Sequence, residues 1–258
     1  MRNIKLTLAY DGSAFHGWQI QPGLATIQGS LTDVIRKITQ ESISVHGASR
    51  TDTGVHALGQ VASFRTQSAL AVDEMQRAFN ALLLPTIRIV AAEEFGPDFH
   101  ARWQAVEKTY HYRIFRGAVL SPFDFRRVLH YPYPLDEQAM AHAAKHFEGE
   151  HDFTSFAASS GSEDTDKDRS PLREILRSEI VRKPEQEEIV YVVTGRSFLR
   201  YMVRKIVGTL LDVGRGKLCP GDIPNLFELR DRSRSGPTAP PDGLYLVSLK
   251  YPEPWKIG

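Results

Sequence analysis

The order of strand-like and helix-like segments predicts an α+β protein in two halves, each near β-α-β-β-α-β with mostly antiparallel sheets. Three observations lead there. Ile4, Leu6, Leu8 and Tyr10 alternate with polar or small residues, the period-two mark of a strand, and Asp11-Gly12-Ser13 ends it with turn chemistry. Ile27, Leu31, Val34, Ile35 and Ile38 recur at helical spacing behind Thr26, a fitting N-cap. The same succession of periods then returns, loosely, in the second part of the chain. The repeat is one of architecture, without a matching repetition of residues.

Taken in order, residues 43–66 read as two extended segments around a Gly-containing turn. Met75, Ala78, Phe79 and Leu82 mark a second amphipathic helix, and Ile87 to Phe95 a strand. Lys108 to Phe115 alternates as a strand, and Asp136 to Glu148 reads as a helix stopped at Gly149. Arg173 to Val181 and Glu188 to Thr194 predict a hairpin around Pro184. Ser197 to Val213 is the clearest helical pattern, and Leu244 to Lys250 a closing strand. The boundary falls near residue 105, dividing the chain into halves 1–105 and 106–258 of ferredoxin-like order. Ala157 to Ser170, rich in Ser, Gly and Asp, reads as a surface loop.

Composition narrows the function classes. With 32 Lys and Arg against 31 Asp and Glu the net charge is +1, which argues against a polycationic coat but allows positive charge gathered on one face. The single Cys219 excludes an internal disulfide and a multi-cysteine zinc site, and fits a reducing compartment. Met1-Arg2-Asn3-Ile4-Lys5 lacks the apolar core of a signal peptide, and no apolar stretch approaches a membrane span. A cytoplasmic protein is expected.

Reactive residue types are densest between Gly47 and Gln60, where Ser49, Arg50, Thr51, Asp52, Thr53 and His56 precede a predicted strand, Val61 to Phe64. Gly54 allows a positive φ, so the chain can turn sharply just after Asp52 and present it at a strand end. The same residues also describe an ordinary Asx turn in which Asp52 caps its own backbone. Arg196, Arg200 and Arg204 are spaced by four and would share a stripe if the helix extends back that far. From Arg196 to Lys217 six basic residues face one acid, Asp212, a pattern that suits phosphates or a solvated face. Arg204, beside Val203 and near Val207, is expected to be partly buried and to want a carboxylate partner. Rings beside cations at Phe15-His16-Gly17-Trp18 and Lys108-Thr109-Tyr110-His111-Tyr112-Arg113 suit stacking on unpaired bases, though such a strand also makes ordinary core. His142 and His146 lack the Glu of a zincin motif, and no Walker loop, G-x-G-x-x-G or G-x-S-x-G is present. What remains is a cofactor-free, metal-free site built on a carboxylate.

The run Gly47-Ala48-Ser49-Arg50-Thr51-Asp52-Thr53-Gly54-Val55-His56-Ala57 closely resembles the signature of the tRNA pseudouridine synthase A family. Further matches follow in the family's order: Tyr10-Asp11-Gly12 with Phe15 to Gln19, Phe99-His100-Ala101-Arg102 leading to Lys108-Thr109-Tyr110, and Gly149 to Phe156. Met202 to Gly208, Gly236 to Pro240 and Gly243 to Leu246 complete the pattern. The resemblance spans nearly the whole chain. It implies a homodimeric enzyme without metal or cofactor, and no membrane partner. Such an enzyme converts uridine to pseudouridine at positions 38, 39 and 40 in the anticodon stem-loop of tRNA, in an active-site cleft between the two halves. By resemblance Asp52 is the catalytic aspartate, Arg204 pairs with it, Tyr110 stacks on the target base, Arg50 takes part in flipping that base, and Leu244 is an apolar contact in the pocket. This chain departs from the pattern at Lys205, where the family commonly has Asn. It departs again in the 157–170 loop, whose Glu163, Asp164, Asp166 and Asp168 outnumber Lys167 and Arg169. A non-catalytic RNA-binding module of the same fold is the alternative. A two-carboxylate glycoside hydrolase is more remote, because Asp52 has no acidic companion in its motif.

Overall fold

The computed structural model describes residues 1–157 and 170–252; most of the acidic loop lies outside them. The chain forms two compact units, Met1–Lys108 with Tyr245–Gly258, and Thr109–Leu244.

The first unit runs β1 (Arg2–Tyr10), α1 (Ile27–Thr39), β2 (His46–Gly47), β3 (His56–Thr66), α2 (Val72–Leu82) and β4 (Ile87–Phe95). β1 is central, antiparallel to both neighbours, with Leu6 opposite Ala62 of β3 and Ala92 of β4. Its Ile4, Leu6 and Leu8 are fully buried, as the alternation requires. α1 begins where Thr26 accepts a hydrogen bond from Gly29 N–H at 3.2 Å, the N-cap read from the sequence. α2 buries Met75 and Phe79, and the Phe79 ring meets Phe64 of β3 edge-on at 6.2 Å. Of the two extended segments expected in 43–66, the first shrinks to β2, whose His46 and Gly47 pair with Ser63 and Ala62.

The second unit carries most of β5 (Glu107–Phe115), then β6 (Leu129–His130), α3 (Glu137–Lys145), β7 (Gly149–Asp152), β8 (Leu172–Lys183), β9 (Glu188–Gly195), α4 (Met202–Gly214) and α5 (Ile223–Leu229). Its strands lie in the order β5-β9-β8-β7, with β6 parallel to β5. β8 and β9 form the hairpin expected around Pro184, with Glu187 in the left-handed region closing the turn. α3 is shorter than its pattern: Asp136 caps it through Ala139 N–H, and it ends at Lys145, four residues before Gly149 opens β7 at φ +100°.

Two further expectations are corrected. The closing strand β10 (Leu244–Lys250) does not stay with the C-terminal half; from Tyr245 onward it belongs to the first unit, because Tyr245 and Leu246 pair in parallel with His56 and Ala57 of β3. α4 starts at Met202, not Ser197. Tyr201 sits at φ +62°, so no regular helix passes through it, and Arg196 and Arg200 do not share a helical stripe with Arg204.

Thr26→Ala should cost about 1 kcal/mol of stability, read as a lower urea midpoint with an unchanged denaturant slope. An unshifted midpoint would show that the cap contributes nothing.

Candidate active site

Asp52 lies in the connection between β2 and β3, partly buried, with Thr51 buried before it and Arg50 exposed beyond that. Val55 N–H closes a tight turn by donating to Asp52 C=O at 3.1 Å, and Gly54 takes φ +80° within it. This is the sharp turn that Gly54 promised. Main-chain bonds to the segment after β1 hold it on both sides of Asp52: Trp18 N–H donates to Thr51 C=O at 3.0 Å, and Gly54 N–H donates to Phe15 C=O at 3.2 Å. Gly17, at φ +85°, makes this approach possible, since a side-chain carbon there would stand 2.6 Å from Thr51 O.

Buried side chains hold the loop from below. The Tyr10 and Thr51 hydroxyls are hydrogen-bonded at 2.9 Å. Gln60, fully buried, accepts from Ser49 N–H at 3.3 Å and donates to Ser49 C=O at 2.7 Å and to the Tyr10 hydroxyl at 3.3 Å. Lys108 donates to Ala48 C=O at 3.0 Å. His56, also buried, stacks on Tyr245 at 4.6 Å; its Nδ1 lies 3.2 Å from Gly12 N and 3.3 Å from Asp11 Oδ1. A buried amide wired to both sides of Ser49 leaves the loop little freedom, so the Asp52 Cα is fixed before any substrate arrives. Sequence reading missed Gly17, Tyr10 and Gln60 as supports; the first two sit in the quoted opening motif, while Gln60 carries no local signal.

Tyr110, Arg204 and Leu244 belong to the second unit. Tyr110 is buried on β5, its ring edge-to-face with Phe198 at 5.1 Å. Two positions on, Tyr112 is fully buried and donates to Pro240 C=O at 2.8 Å; burial pushes its hydroxyl pKa far up, against the pull of the Arg204 charge. Arg204 is partly buried. Its Nε donates to Ala239 C=O at 2.7 Å, Ala239 N–H returns a bond to Arg204 C=O at 3.1 Å, and the guanidinium lies 5.0 Å from the Tyr201 ring. Ala239-Pro240 thus ties β5 to α4, and Leu244 is buried just beyond it. Lys205 is buried too, donating to Arg232 and Gly236 carbonyls at 3.1 and 2.8 Å, and burial lowers its ammonium pKa.

The basic run from Arg196 to Lys217 is therefore not one surface. Arg196 pairs with Glu174 at 2.5 Å, Lys205 points inward, and Arg215 and Lys217 share Asp212 at 3.1 and 3.8 Å. Among the described residues no group of three or more His, Cys, Asp or Glu is placed to hold a metal, and no helix is long and apolar enough to cross a membrane.

The arrangement invites comparison with known proteins. A family model described as tRNA pseudouridine synthase matches residues 7–104 and 143–252. A tRNA pseudouridine synthase A of Solibacter usitatus is 51% identical over 251 residues, covering 97% of this chain and 100% of its own. That of Caldicellulosiruptor saccharolyticus is 44% identical over 255 residues, with the same coverage. A solved Cbf5-Nop10-Gar1 complex overlaps 81% of this chain and 54% of its own at 16% identity and a TM-score of 0.31, too slight to bear on the assignment. With both units matched and the relatives covered in full, the chain belongs to the tRNA pseudouridine synthase family, isomerases that act on uridine in tRNA.

Proposed function

We propose that this chain isomerises uridine to pseudouridine at positions 38, 39 and 40 of the tRNA anticodon stem-loop, with Asp52 as its catalytic carboxylate. The observation that carries the reading is the turn itself, whose backbone is bonded on both sides of Asp52 and whose side chain is only partly buried. A backbone held in this way keeps the attachment point of the carboxylate in one place for a substrate.

The chemistry makes definite demands. The bond from C1′ to N1 of uracil breaks, the ring turns, a bond forms from C1′ to C5, and the C5 proton leaves as N1 gains one. Atoms balance without oxidant or co-reactant. Attack by the carboxylate on C1′, addition to C6 and removal of a sugar proton are three possible first steps, and each needs Asp52 ionised. A cation beside the carboxylate, the role that the resemblance gives Arg204, would favour that ionised form. A base inside a stem must leave the stack, and Arg50, exposed two residues before Asp52, is suited to fill the gap. Tyr110, its ring braced by Phe198, stacks on the detached uracil, and Leu244 keeps that space apolar. The enzyme works as a homodimer in the cytoplasm, and needs no metal or cofactor.

With tRNA tritiated at uridine C5, the wild-type protein should release label and Asp52→Asn should lower the rate by at least about 1,000-fold. A transcript carrying cytidine at positions 38 to 40 should release none. Undiminished release by Asp52→Asn would remove Asp52 from the chemistry. Light scattering should give twice the 29.0 kDa chain mass; a monomer would refute the dimer.

A further inference from the structure

A cluster in the first unit takes no part in this chemistry. The turn after β4 is strongly built: Asn3 Nδ2 donates to Phe99 C=O at 2.7 Å, Ala101 N–H donates to Ser63 Oγ at 3.1 Å, and the Tyr251 hydroxyl donates to Ala101 C=O at 2.8 Å. Gln104 crosses it, accepting from His100 N–H at 2.6 Å and donating to Asp98 C=O at 2.9 Å. On this rigid turn Trp103 stands 67% exposed. Its ring lies 5.2 Å from the Arg102 guanidinium and 5.5 Å from the His100 ring, which is 4.8 Å from His46 of β2. Arg65 anchors on Pro97 C=O at 2.7 Å at the edge of the group.

The bonds that build this turn are made by other groups, and the indole, in contact with Arg102 and His100, keeps most of its surface in water. Its neighbours Arg102 and Arg65 are cationic. Burial lowers the His100 pKa, and His46, Arg102 and Arg65 push it the same way, which marks the surroundings as electropositive. The cluster is continuous with the loop that carries Asp52. Its floor, Phe99 and Ala101, packs with Ala48, four residues before Asp52.

We propose that Trp103, with the His100 and His46 rings beside it, is a second RNA-contact surface, on which an unpaired base of the tRNA stacks while the Arg102 and Arg65 guanidinium groups meet its flanking phosphates. A π face beside guanidinium groups on a pre-set turn suits a nucleotide better than an apolar peptide. This inference rests on the reading that tRNA is the substrate.

The test is tRNA binding by the full chain, with single-turnover tritium release alongside. Trp103→Ala should weaken binding about 10-fold, while the rate at saturating tRNA stays as in the wild type. Trp103→Phe, which keeps a ring, should stay within about threefold. Arg102→Gln should reduce the slope of log affinity against log salt by about 1. Wild-type affinity in Trp103→Ala would overturn the proposal, as would a loss of binding traced by light scattering to a broken oligomer. Absence of tritium release from the wild-type protein would instead strike the functional reading, and the binding comparison would still stand or fall by itself.

Discussion

Backbone meets backbone where the segment after β1 crosses the loop before β3, and the candidate chemistry depends on that crossing. Trp18 N–H reaches Thr51 C=O and Gly54 N–H reaches Phe15 C=O because Gly17 has no side chain to hold the strands of chain apart. Two main-chain hydrogen bonds are individually modest. Placed on either side of one residue, they fix the origin of the Asp52 side chain. The Gln60 amide on β3 and the bond between the Tyr10 hydroxyl on β1 and Thr51 do the same from the neighbouring strands.

The second unit uses the same device with different groups. Ala239-Pro240 exchanges bonds with Arg204 on α4 and accepts from Tyr112 on β5, so a strand and a helix far apart in sequence are tied by one extended segment. Buried Lys205 anchors the approach to that segment through the Gly236 carbonyl. Its ammonium satisfies two carbonyls at the cost of desolvation, and burial lowers its pKa.

Much of this was legible in the sequence where the signal is local. β4 and β10 fall on their expected bounds because alternation over seven to nine residues specifies a half-buried strand. Thr26 announced α1, and Gly54 announced the turn after Asp52. Non-local causes were hidden. Nothing in Ser197 to Tyr201 reveals that Tyr201 takes φ +62° between two guanidinium groups, so the helical period ran five residues too far and drew a basic stripe that does not exist. The partner of β10 is set by pairing with β3, nearly two hundred residues earlier. Gln60 looks like any strand residue until Ser49 is folded against it. Arg50 and Asp52 stood out because small residues and turn chemistry surround them; Tyr110 and Arg204 drew notice as a ring beside cations and a part-buried cation, patterns that core and surface also produce, and Leu244 is singled out by family likeness alone.

The central claim is that a fixed backbone sets the place of the Asp52 carboxylate. The most direct test is the single-turnover rate of Asp52→Glu at saturating tRNA, because one added methylene moves the carboxylate while leaving its charge and the loop intact. A fixed turn predicts a fall of roughly 100-fold, with tRNA affinity unchanged. A rate close to that of the wild type would contradict it, showing a loop that shifts to meet its substrate.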